Sequence, residues 1–264
     1  IRSMSEQIEH GIASLLNDPA FEELKLSLNR PNFFEVLGLA KREIRHSNFL
    51  GWLLNPEGNH GLRTIFLERF LRDVLAQSGL PGLGVLEVES TDMNSVDIRR
   101  EWRHIDILVK TKRFVIVVEN KIDTQDHSDQ LSRYKRVAQE EFGEVPMVCV
   151  YLTPDGGQPR EDAGYLPYSY GDVLEHLKSI ISIHSSSLSK RQVVYLEDYI
   201  TVLRRHIMKD DRLNELVERL YKRHQAAIDF IVQNLPDAKK EVRTVLEGLI
   251  SDAGWIQCST NNSY

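Results

Sequence analysis

Apolar residues recur with two different periods along this chain, and the alternation between them predicts its elements. Ile8, Ile12, Leu15 and Leu16 sit at helical spacing, so residues 5–28 read as one or two helices broken at Asn17-Asp18-Pro19. Pro31-Asn32 opens a second helical stretch, from Phe33 to about Leu54, which ends before Asn55-Pro56-Glu57-Gly58. A third helix, over about 61–78, carries Leu62, Ile65, Phe66, Leu67, Phe70, Leu71 and Leu75. Pro81-Gly82-Leu83-Gly84 reads as a turn. The period then shortens. Residues 85–90 and 96–102 are extended candidates whose connection the pattern leaves open, and 104–110 (HIDILVK) is a clear strand. After Thr111-Lys112-Arg113 come five apolar residues, Phe114 to Val118, the mark of a strand buried on both faces. This run ends abruptly in Glu119-Asn120-Lys121.

Helical periodicity returns over 125–142, followed by a buried strand at 145–152 and a turn at Thr153-Pro154-Asp155-Gly156-Gly157. Further helices are expected over 172–183, 189–208, 211–234 and 236–250, with Gly254-Trp255-Ile256-Gln257 resembling the start of a strand. The order is helix, hairpin strands, helix, strand. It describes an α/β core with an antiparallel portion and a crossover helix. The expected division is a core over 4–170 and a helical extension over 171–264.

Composition narrows this little. The sequence has no long uncharged apolar run and no secretory leader pattern, and its two cysteines, Cys149 and Cys258, make neither a disulfide framework nor a zinc site. A reducing, cytoplasmic setting fits those features. Ile1-Arg2-Ser3 read as a cloning remnant before a native start at Met4, and the strand-like start at 254–257 leaves open whether the natural chain extends past Tyr264. The net charge of −6 argues against indiscriminate coating of nucleic acid, although an acidic cation site is compatible with substrate-facing lysines and arginines. The pairs Arg99-Arg100, Lys135-Arg136, Arg204-Arg205 and Lys222-Arg223 read equally as phosphate-tracking or solvated faces. Thr153–Pro159 lacks the Lys-Ser/Thr of a phosphate-binding loop, and Asn59-His60 reads as turn chemistry.

Candidate chemistry lies in the hairpin from 104 to 121. A tight turn centred on Thr111-Lys112 sets Lys110 against Arg113 and Asp106 against Val117. Strand alternation then puts Glu119 and Lys121 on the face of Asp106. Glu119 lies diagonal to Asp106, about 7–8 Å away between backbone positions. Two carboxylates so placed can grip one hard cation, and a one-residue slip would separate them. A charged residue directly after five apolar ones sits at the rim of a packed sheet, where it needs a partner or a cation. Mg²⁺ or Mn²⁺ suits two carboxylates plus water and phosphate oxygens, and Lys121 beside it can position or deprotonate an attacking water. On helical faces, Glu43 aligns with His46 and Ser47, and Gln130 with Tyr134.

At these residues the sequence resembles the PD-(D/E)xK nuclease superfamily, which includes type II restriction enzymes and RecB-like nucleases. The matching pieces are Asp106 in HIDILVK, Glu119-Asn120-Lys121 closing FVIVVENK, Gln130 to Tyr134 as a QxxxY element, and Glu43 in REIRHSNFLGWLLNP. Ile105 stands where the motif's name has proline. The stretch from about Phe33 to Leu152 resembles a branch found in uncharacterised bacterial and phage-linked proteins. The resemblance implies a restriction endonuclease-like fold, a mixed sheet flanked by helices, with extra helices at both ends. It implies a metal-dependent nuclease acting on nucleic acid, DNA more than RNA, in defence against foreign DNA. Asp106, Glu119, the main-chain carbonyl of Asn120 and Glu43 would hold Mg²⁺ or Mn²⁺, Lys121 would act on the water, and Gln130 and Tyr134 would orient the site or contact phosphate. His46 and Ser47 would touch substrate. A binding module with idle chemistry is the alternative, and the C-terminal helices are candidates for a homodimer contact.

Overall fold

A computed structural model describes residues 4–123, 129–160, 163–208 and 211–234. The expected helix at 236–250 and strand start at 254–257 lie outside these residues, as do positions 125–128 of the expected 125–142 helix. The described residues form two compact units, one over 32–208 and the other of 4–31 with 211–234.

The larger unit is built on a five-stranded sheet: β1 (Asp97–Trp102), β2 (Ile105–Lys110), β3 (Val115–Asn120), β4 (Met147–Thr153) and β5 (Tyr165–Ser169), in that spatial order. The pairs β1–β2 and β2–β3 are antiparallel, and β3–β4 and β4–β5 are parallel. This is the mixed sheet flanked by helices that the sequence resemblance implied. Alternation along the strands assigns each side its own core. Ile107, Val109, Ile116, Val118, Val150 and Leu152 pack on one side with helix residues that include Leu53, Phe66, Leu71, Leu177 and Tyr199. Those helices are α4 (Glu43–Leu54), α5 (Ile65–Gln77), α8 (Tyr170–His184) and α9 (Lys190–Val202). Leu108, Val115, Val117, Cys149 and Tyr151 face the other way, against Leu131, Tyr134 and Ala138 of the crossover helix α7 (Gln130–Phe142).

Several expectations change. The stretch at 85–90 is not extended: Val85–Glu89 is the short helix α6, which buries only Val88. Its branched residues favour a strand, but helix α5 offers it an apolar seat in place of a sheet edge. The single helix expected from Phe33 to Leu54 is two, α3 (Phe33–Val36) and α4, separated where Gly38 takes a left-handed backbone (φ 64). Strand β5 was missed, because Pro167 in YLPYS reads as a breaker. At the outer edge of a sheet a proline costs no ladder bond. Finally, α9 gives way to a π-turn at Leu203–Ile207.

The register of the β2–β3 hairpin matters most for the site. Lys110 pairs with Val115, Leu108 with Val117 and Ile107 with Val118. Relative to the expected register, β3 is shifted by two residues. A shift of two keeps every side chain on its face, so the parity survives. The turn is longer than expected because Thr111 closes it. Its Oγ1 donates to the Phe114 carbonyl (2.8 Å) and accepts from the Arg113 and Phe114 N–H groups (3.0 and 2.8 Å), all at a buried position. Thr111→Val keeps the shape and removes these bonds. It is expected to lower stability by about 2 kcal/mol in a urea titration, through buried groups left unpaired. An unchanged midpoint would mean that the turn does not depend on this hydroxyl.

The smaller unit packs α1 (Met4–Leu16) and α2 (Pro19–Asn29) with α10 (Asp211–Asn234) around Leu15, Leu216 and Leu220. Asp18 caps α2 through the Ala20 N–H and also accepts from Arg223 and His224, where α10 kinks.

Candidate active site

The shifted register brings the acids closer than expected. Continuing the ladder past Ile107↔Val118 sets Asp106 directly opposite Glu119, not diagonal to it. Directly opposed side chains start about 4.5–5.5 Å apart at Cβ. The β1–β2 register skips Glu101, whose backbone is left-handed (φ 54), yet its charge lies close enough to raise the Asp106 carboxyl. Glu101 was not picked out from the sequence. Its signal was available only after the β1–β2 turn was fixed at Arg103-His104, where both residues have positive φ (50 and 72), as a two-residue hairpin turn requires.

Glu119 is 2% exposed. One oxygen, Oε1, accepts from Lys121 Nζ (2.9 Å) and from Gln130 Nε2 (3.0 Å). The other, Oε2, is buried with no hydrogen-bond partner among the described residues, as is Gln130 Oε1. Gln130 also donates to the Tyr134 hydroxyl (3.0 Å), so α7 presents both residues to the acid end of β3. Asp106 Oδ2 accepts from the Asn120 N–H (2.8 Å). Lys121 N–H donates to the Leu152 carbonyl on β4, so the Asn120 N–H and C=O point the other way, towards β2. The Asn120 carbonyl therefore lies on the Asp106 side of β3. Glu43, the first residue of α4, reaches the turn after β3, where its Oε1 accepts from the Ile122 and Asp123 N–H groups (2.8 and 3.3 Å).

The electrostatics follow from this crowding. Burial, and then the charge of Asp106, push the Glu119 carboxyl well above the ordinary range against the pull of Lys121. Burial pushes Asp106 up too, opposed by the Asn120 N–H and reinforced by Glu101 and Glu43. Burial would lower Lys121, but Glu119, Glu43 and Asp106 outweigh it and raise the ammonium. Every shift favours bound protons, which is what a cluster of excess negative charge does when no other cation is present.

A divalent cation fits this donor set. Among the described residues no three His, Cys, Asp or Glu side chains gather into a cage. Mg²⁺ needs only one or two carboxylates, with water and substrate oxygens completing its shell. The buried, unpartnered Glu119 Oε2 is an acceptor that a cation would satisfy.

A carboxyl raised in the folded state contributes stability at low pH that is lost as pH rises through its folded pKa. Glu119→Gln is therefore expected to be more stable than the parent in EDTA near pH 8, by about 1 kcal/mol, and equal to it near pH 5. Cation affinity of the parent should rise over the same interval, since ionised acids are the ligands. Melting curves in EDTA and in Mg²⁺ at the two pH values check both signs, and a Glu119→Gln protein that melts lower at pH 8 contradicts them.

The structure brings together Asp106, Glu119, Lys121, Gln130 and Tyr134, with Glu43 at the adjoining turn. It does not bring His46 and Ser47 to a surface. Both expectations of substrate contact are corrected, because their helix face turns inward and leaves them 1% and 0% exposed. His46 bonds to the Ala40 carbonyl (2.9 Å) and the Tyr199 hydroxyl (3.2 Å), and burial lowers its pKa. Ser47 Oγ donates to the Glu43 carbonyl (3.1 Å) and accepts from the Asn120 side chain (3.0 Å).

The family model of the PD-(D/E)XK nuclease superfamily matches residues 31–232. Neither the curated proteins nor the solved structures gave a match. The matched span takes in the whole sheet, the acids and the helices that flank them, well over half of the sequence. The chain belongs to the PD-(D/E)XK nuclease superfamily.

Proposed function

We propose that this protein is a divalent-metal nuclease that hydrolyses phosphodiester bonds in nucleic acid at the Asp106–Glu119–Lys121 cluster. The observation that carries this reading is Glu119 Oε2, a buried carboxylate oxygen with no partner among the described residues, on a residue opposite a second, half-buried acid. Asp106 and Glu119 would hold Mg²⁺ or Mn²⁺, with the Asn120 main-chain carbonyl as a third oxygen. The bound ion would lower the pKa of water and offset the charge that develops on phosphate.

The protein's own groups do the rest. Lys121, held 2.9 Å from Glu119, orients the attacking water and adds positive charge beside the phosphate. Its raised pKa makes it an ammonium until positive charge arrives nearby, so a role in taking the proton would follow cation binding. Gln130 fixes the Glu119 carboxylate from α7, and Tyr134 fixes Gln130. Glu43 secures the turn after β3 and adds negative charge to the site. Water attacks in line, without a covalent enzyme intermediate.

The finer readings extend this proposal. They are DNA in preference to RNA, action in the cytoplasm against foreign DNA, a helical segment beyond residue 170 with its own role, and pairing of two copies through C-terminal helices. Among the described residues no helix is long and apolar enough to cross a membrane. Incubation with single- and double-stranded DNA and RNA, in Mg²⁺, Mn²⁺ or EDTA, tests the proposal. Cleavage is expected with either ion and none with EDTA. Binding without turnover in saturating Mn²⁺ would favour the idle module instead.

A further inference from the structure

Behind the acids, on the opposite face of β3, lies a buried polar chain that joins the sheet to two helices. Asn120, 1% exposed, sends its side chain away from the site. Its Nδ2 donates to the Glu43 carbonyl (3.2 Å) and to Ser47 Oγ (3.0 Å), and its Oδ1 accepts from the Tyr170 hydroxyl (2.9 Å). Tyr170 and Tyr199 are 0% exposed; the Tyr199 hydroxyl bonds to His46 Nδ1 (3.2 Å), and the His46 ring packs edge-on against the Tyr170 ring. The direction of the chain is set by chemistry. A main-chain carbonyl only accepts, so the amide NH₂ must face Glu43 and the amide oxygen must face Tyr170, whose O–H then donates. Tyr170 lies at the start of α8, and Tyr199 lies in α9.

Fully buried hydroxyls and amides are costly unless every one is paired, so a chain of this kind fixes its members in one arrangement. Here it fixes Asn120 at two points of consequence. The Asn120 N–H holds Asp106, and the backbone of the same residue joins Glu119 to Lys121. Through Nδ2 and Ser47 the chain also ties down the Glu43 end of α4. A shift of Asn120 would therefore move both carboxylates and the lysine relative to Glu43.

We infer that Tyr170 and Ser47 are positioning residues that hold Asn120 so that the acids on the other face of the sheet are set for a divalent cation. This rests on the proposed nuclease reading. It also gives Ser47 a task other than substrate contact, and it gives α8 a part in the site. Outer partners of metal ligands act in this way generally, and their loss lowers metal affinity by about 10–100-fold.

The test is Mn²⁺-induced thermal stabilisation of Tyr170→Phe and Ser47→Ala, titrated from EDTA upwards without any nucleic acid. Tyr168→Phe is the control. Tyr168, 1% exposed and two residues away, bonds through its hydroxyl to Asp73 and His176 and not to Asn120. All three variants are expected to melt below the parent in EDTA. Only Tyr170→Phe and Ser47→Ala should need about tenfold more Mn²⁺ for half of the stabilisation. If Tyr170→Phe does not fold, Ser47→Ala reads the same quantity from the other side of the amide. Midpoints equal to the parent, or a matching shift in Tyr168→Phe, overturn the inference while leaving the nuclease reading intact. No Mn²⁺ stabilisation and no cleavage by the parent would sink the nuclease reading, and this inference with it.

Discussion

Asp106→Ala, Glu119→Ala and Lys121→Ala are each expected to lower nucleic-acid cleavage by about 10³-fold or more, with the fold retained. Their causes differ and can be separated. Loss of Asp106 removes one carboxylate and frees the Asn120 N–H. Loss of Glu119 removes the second carboxylate and leaves Gln130 without its acid. Both should also abolish stabilisation by Mn²⁺. Lys121→Ala removes an ammonium from a negatively charged cluster, so it should retain cation binding while losing turnover. Raising Mn²⁺ should therefore restore none of the Lys121→Ala activity. Initial rates with a fluorescent oligonucleotide, beside melting curves, check all three. Cleavage that persists in all of them places the chemistry elsewhere.

Glu43→Ala is expected to cost about 10²-fold, the scale at which partners outside the direct ligand set usually act. Glu43 has two jobs on this account. Its Oε1 holds the Ile122 and Asp123 N–H groups, and its charge lies close enough to raise both Asp106 and Glu119. Glutamine keeps an acceptor oxygen and removes the charge. If the hold on the turn dominates, Glu43→Gln retains most of the activity. If the charge helps bind a cation, Glu43→Gln resembles Glu43→Ala and both need more Mn²⁺. Rates across a Mn²⁺ series decide between these. Full activity in both variants would remove Glu43 from the site.

Much of the site was legible because strand alternation is insensitive to errors of two. The expected hairpin placed Asp106 against Val117, whereas the ladder places it against Glu119, yet face and cluster are the same. The size of the error comes from Thr111, whose side chain closes a longer turn than residue type suggests. Apolar runs located β3 and β4 because burial on both faces leaves an unmistakable pattern. They gave no such help with Val85–Glu89, where five residues fit either period, or with β5, where a proline hid an edge strand. His46 and Ser47 show the main limit. Helical spacing tells which residues share a face, but not whether that face meets solvent or a neighbouring helix. Tyr170 was invisible for the same reason, since its partner Asn120 lies distant in sequence and only the main-chain carbonyl of Asn120, not its side chain, had an expected role.

The central claim is that the carboxylates of Asp106 and Glu119 share one divalent cation. A crystal of the protein grown with Mn²⁺, examined by anomalous scattering at the manganese edge, tests it directly. The account predicts a peak within bonding distance of both carboxylates, about 2.0–2.3 Å from their oxygens. A peak held by only one of the two acids, or none at saturating Mn²⁺, contradicts it.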